Sequence, residues 1–122
     1  MTPSRHWSEP AVVIAPQPEE GPVLVLVEYR IDPRRAHEFA LAMRDVRLER
    51  LRDGASHWGL FRDPANPVRY VEAFTVASWV EHLRQHERVT MADRAAEARA
   101  YAFHIGETPL VISHLVAEHL PT

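Results

Sequence analysis

The chain has 122 residues, a formal charge of −3 and 46% hydrophobic residues, the size and balance of one globular domain. It contains no Cys and no Lys, since all 14 basic residues are Arg, which excludes disulfides, thiolate nucleophiles, Cys-ligated metals, Schiff-base chemistry and the P-loop lysine. Gly at 21, 54, 59 and 106 alone permits no dinucleotide cradle, the net charge argues against nucleic acid, and no apolar run reaches the roughly 18–20 residues of a membrane span.

Residues 1–22 read as a Pro-rich N-terminal extension that carries five of the ten Pro. Its start, Met1 to Trp7, has no apolar run of signal-peptide type, so cytoplasmic location without membrane insertion is expected. Val12-Val13-Ile14 could form an edge strand, but the flanking Pro favour an extended linker. Val23 to Ile31 is apolar on both faces in its first half, the pattern of a central strand covered on both sides. Asp32-Pro33 supplies an N-cap and an N1 residue, and Ala36, Phe39, Ala40, Met43, Val46 and Leu51 give a helical stripe that ends at Asp53-Gly54. The Arg-rich stretch Arg44 to Arg52 reads as a solvated face of that helix.

Ser56 to Arg62 is a second strand, 63–67 a hairpin loop and Val68 to Val76 a third strand. Helices are expected from Ser78 to about Arg88 and from Thr90 to about His104, with Ser78/Glu81 and Thr90/Asp93 as capping patterns. Leu110 to Glu118 is the last strand. The order βαββαβ predicts an α+β domain over residues 23–118, ferredoxin-like, with an antiparallel sheet and helices on one face. Apolar residues on the other face predict a homodimer, two sheets closing a dimeric α+β barrel.

Three segments carry a resemblance: Gly21 to Arg30, His57 to Asp63, and Ser78 to Thr90 with its His-Leu-Arg-Gln-His-Glu-Arg-Val-Thr run. Over residues 21–118 the chain resembles the soluble C-terminal domain of enterobactin-exporter-type major facilitator transporters. That domain is in turn similar to the antibiotic biosynthesis monooxygenase group. The resemblance implies the dimeric barrel. It also implies either cofactor-independent oxidation of quinol- or anthrone-like substrates, haem binding, or a role without catalysis. Trp79 and His86 look like the Trp and His that recur in the second helix of the group. The strand Asn that several of its oxygenases use has no counterpart, because the only Asn is Asn66 in the hairpin loop.

The residues themselves offer three candidate sets. His82 and His86 share a helix face at the spacing of a metal-binding pair, and a third ligand would have to come from His57, Glu72 or His104. Charges set within apolar strands form the second set. Glu28 and Arg30 suit an ion-pair network at the dimer interface, whereas Glu72 (with Tyr70 and Phe74), Arg62 (with Trp58 and Leu60) and His114 alternate onto faces with apolar neighbours. The third is an aromatic pocket for oxygenation, which needs a base and an anion stabiliser. The leading expectation is therefore a site for an apolar or aromatic small molecule, without cofactor or metal. Glu72 or His86 would be the base, Arg62 the anion stabiliser, and Trp58, Tyr70, Phe74, Trp79 and His57 the walls. The alternatives are a non-catalytic accessory or ligand-sensing domain, and haem binding with His86 as axial ligand.

Overall fold

The computed structural model describes residues 12–87 and 91–121, without the side chains of residues 86, 87 and 91–93. Strand β1 (Val23–Arg30) leads through a 3-10 turn (Pro33–Arg35) into helix α1 (Ala36–Arg52). Strands β2 (Ser56–Arg62) and β3 (Arg69–Val76), helices α2 (Trp79–Glu87) and α3 (Met91–Tyr101), and strand β4 (Val111–Val116) follow. The four strands form one antiparallel sheet in the order β2-β3-β1-β4, the ferredoxin-like arrangement that the order of elements predicts.

Alternation along the strands sorts the side chains into two faces. Val23, Val25, Val27 and Tyr29 of β1, and Tyr70, Glu72, Phe74 and Val76 of β3, are buried beneath the helices. Residues paired across strands share a face, so Ile112 and His114 of β4, opposite Val27 and Val25, belong to the same layer. Phe39 of α1 fills the centre of that layer, with ring centroids 5.0 Å from Tyr29, 5.8 Å from Tyr70 and 5.9 Å from Phe103. Among the described residues no helix covers the opposite face. Phe61, Val111 and Leu115 lie there 59%, 48% and 51% exposed, beside half-buried Leu24, Leu26 and Val71.

Asp32 and Pro33 open the 3-10 turn that leads into α1 rather than α1 itself, whose N-cap is Arg35, while the end of α1 follows its sequence. The Asp32 side chain accepts the Arg34 N–H at 3.0 Å, with Pro33 next in the chain. At the other end Gly54 takes φ +102°, its N–H reaches Leu51 O at 3.2 Å, and the Ala55 N–H reaches Arg50 O at 2.9 Å, a Schellman closure. The buried stripe needs a correction. It runs Phe39, Met43, Val46, Arg50, while Leu51 is 37% exposed and Ala40 is exposed. Steps of three and four residues carry the stripe from position 46 to 50, and 51 lies a further 100° around the helix. Arg50 is thus not part of a solvated face.

The remaining boundaries depart by a few residues from the sequence reading. Helix α3 ends at Tyr101, and His104 turns back to β1, where its Nδ1 accepts the Arg30 N–H at 2.9 Å and its Nε2 meets Thr108 O at 2.6 Å. Glu28 pairs within the chain with Arg69 at 2.5 Å. Ser78 Oγ accepts the Glu81 N–H at 3.2 Å, as the capping pattern predicts, while the Thr90/Asp93 pattern lies outside the described residues. Residues 12–22 include neither a helix nor a strand, and their last part docks onto the start of α2.

Candidate functional site

Two clusters of polar side chains lie on the helix side of the sheet, and they differ in kind. The first is centred on Glu72, which is fully buried on β3. Arg50 of α1 donates to it through Nε at 2.9 Å and Nη2 at 3.3 Å, the Trp58 indole N–H at 2.9 Å and the Tyr29 hydroxyl at 3.1 Å. Four donors fill the roughly four acceptor positions that a carboxylate has. Arg50 Nη1 also reaches Glu97 of α3 at 2.5 Å, and the guanidinium lies 5.3 Å above the Phe74 ring. Burial would drive the Arg50 guanidinium toward its neutral form, but the charge of Glu72, with Tyr101 and Glu97, outweighs it and holds the pKa well above the ordinary arginine value. Burial also pushes the Tyr29 and Tyr101 phenols above their ordinary 10.0. This cluster ties α1, α3, β1, β2 and β3 together, and it fully engages the Glu72 carboxylate.

The second cluster lies at the β4 edge. Trp79, the first residue of α2, is buried, and its ring lies 5.4 Å from that of His82 one turn later. His82 is fully buried and its ring stands 4.6 Å from that of His114 on β4. A cleft of about 340 Å³ opens here, lined by Trp79, Ile112, Ser113, His114 and Val116 and, from the N-terminal segment, by Val12, Val13, Ile14 and Pro16. That volume and the mixture of aliphatic, indole and polar walls suit a small molecule.

The structure distributes the other expected site residues. Arg62 is exposed at the opposite edge of the sheet, where it shares a separate cleft of about 390 Å³ with Tyr70, Pro33, Ala36 and Pro67. His57 is exposed, with φ 52°, in a bulge where β2 shifts register between Ser56 and Gly59, and its Nδ1 lies 3.2 Å from both Ser56 Oγ and Thr75 Oγ1. Trp58 and Phe74 belong to the Glu72 cluster. His86 falls in the last turn of α2, and its side chain lies outside the described residues. Among the described residues no three His, Asp or Glu come together in a way that could hold a metal ion. The sequence reading passed over Arg50, Glu97 and the meeting of His82 with His114. Arg50 was legible from the helical period, whereas the His contact depends on β4 lying beside β1.

Over residues 1–122 the sequence matches the transmembrane secretion effector family. The chain belongs to that family. No helix of its described residues is long and apolar enough to cross a membrane. Comparison with curated proteins finds no match. Solved structures share the fold. A candidate antibiotic biosynthesis monooxygenase from Caulobacter crescentus is 23% identical, with a TM-score of 0.68 over 84% of this chain and 94% of that one. Another from Bordetella bronchiseptica is 16% identical, with a TM-score of 0.67 over 83% and 100%. A variant of SnoaB, a cofactor-independent oxygenase from Streptomyces nogalater, is 14% identical, with a TM-score of 0.63 over 82% and 97%. This secretion-effector family member therefore carries the ferredoxin-like α+β fold of those proteins.

Proposed function

We propose that the protein binds a bulky, largely apolar aromatic molecule in the β4-edge cleft and works as a homodimer. The cleft itself carries this reading. There an aromatic wall (Trp79), aliphatic walls (Ile112, Val116) and the His114 imidazole converge, with buried His82 packed behind Trp79 and His114. The uncovered sheet face, with Phe61, Val111 and Leu115 exposed, supports the dimer, since a second copy would bury it and complete an α+β barrel. Titration with a panel of anthrones and naphthoquinols, read by tryptophan fluorescence, tests the binding. Micromolar affinity lost in Trp79→Ala is expected, and no affinity for any of the panel would overturn the reading. Light scattering should give a dimer that Phe61→Glu converts to monomer.

A second reading adds catalysis, and the His pair beside Trp79 favours it. An imidazole at that position takes the proton of a bound phenol or quinol, leaving an electron-rich anion for dioxygen to oxidise without a cofactor. Glu72 is less suited to be the base, because all four of its acceptor positions are engaged. His86, one turn beyond His82, is the other imidazole available to this reading. Arg62 lies at the far edge and takes no part in it. Oxygen uptake in the presence of the bound panel members distinguishes the two readings. Binding without uptake points to an accessory or ligand-sensing domain, akin to that of enterobactin-type exporters.

A further inference from the structure

The β4-edge cleft is bordered on one side by the chain's own N-terminal segment. We infer that it is a docking surface for an extended, proline-containing apolar segment, that residues 12–20 are its built-in occupant, and that ligand enters only when this strap lifts. The inference rests on the cleft being the ligand site.

Three observations carry it. Val12, Val13, Ile14 and Pro16 line the same space as Trp79 and His114. The strap then turns at Gln17 to Glu20 and caps the helix that carries Trp79, because the Trp79 N–H donates to Glu20 O at 2.7 Å and the Val80 N–H to Pro18 O at 2.9 Å. Those N–H groups have no partner within α2, and a segment with Pro at 16 and 18 suits the task by offering carbonyls on a stiff, extended backbone. Finally, Gly21 fits against the 77–78 backbone so closely that a Cβ would stand 2.3 Å from Ala77 O and 2.8 Å from Ser78 Cα. The hold is firm at residues 18–21 and loose ahead of them, where Val13 is 100% and Ile14 87% exposed. A strap anchored at one end and lightly seated over the cleft is built to open there.

The absence of Cys makes the test direct. A single thiol introduced as Ile112→Cys lies in the cleft wall, and its rate of reaction with a maleimide dye reports access without any ligand. Adding Gly21→Ala should speed labelling about tenfold and accelerate amide exchange at Trp79 and Val80. The pair Val12→Asp and Ile14→Asp, at exposed positions, should speed labelling in a chain whose fold is undisturbed. Unchanged labelling in that pair, or in Gly21→Ala with faster exchange at those two amides, overturns the strap. An anthrone that binds neither the parent nor the opened variants, while labelling responds as expected, overturns the ligand site and leaves the strap standing.

Discussion

The Glu72 cluster and the β4-edge cleft both place ionisable side chains beneath the helices, yet they serve different ends. Around Glu72 four donors meet the two carboxylate oxygens within 2.9–3.3 Å. At the β4 edge the His114 imidazole and the Trp79 indole line a space of about 340 Å³, with His82 packed behind them. A buried charge that is fully bonded acts as scaffold, whereas polar groups gathered around a volume can act on something placed in it. Burial alone would have ranked Glu72 as the foremost catalytic candidate, and its bonding argues the reverse.

The largest test of this contrast is Arg50→Leu, which leaves Glu72 and Glu97 buried without their shared cation. It should cost about 3–5 kcal/mol in urea unfolding, and the triple change with Glu72→Leu and Glu97→Leu should recover most of it. Full stability in the single variant would show that the cluster is no scaffold. Trp58→Phe removes one donor to Glu72 and should cost about 1–3 kcal/mol, with the affinity of the cleft unaltered. Alkali offers a milder probe. Folded Tyr29 and Tyr101 hold their protons above the pH at which the unfolded chain, with phenols near 10.0, releases them. Stability is therefore full below about pH 10 and declines as pH rises beyond it, and Tyr101→Phe should flatten the decline in thermal melts taken from pH 8 to 11. The smallest effect on stability belongs to His114→Ala, expected within about 1 kcal/mol, yet it should weaken anthrone binding about tenfold.

Much of the fold could be read from local chemistry. The Asp32-Pro33 cap, the Gly54 stop and the Ser78 cap each depend on residues within four positions of one another, and all three form, the first on the 3-10 turn that precedes α1. Strand alternation correctly placed Glu72 with Tyr70 and Phe74 on one face. The site was less legible because it is made by pairing across distance. Nothing near His82 in sequence announces His114, which arrives only because β4 lies beside β1 with His114 opposite Val25. Arg62 and Glu72, two strands' neighbours in any sketch of the sheet, face different surroundings once Arg50 rises from α1 to claim Glu72. The docking of residues 18–21 on α2 is backbone-mediated, so no side-chain pattern could reveal it.

The central claim, that the ligand site is the β4-edge cleft rather than the Glu72 cluster, can be read from two indole N–H signals. Trp79 lines the cleft, and Trp58 is bonded to Glu72. In a ¹H–¹⁵N correlation spectrum titrated with an anthrone, the Trp79 indole resonance should move with saturation while that of Trp58 stays in place. Movement of Trp58 with Trp79 unaffected would contradict the account.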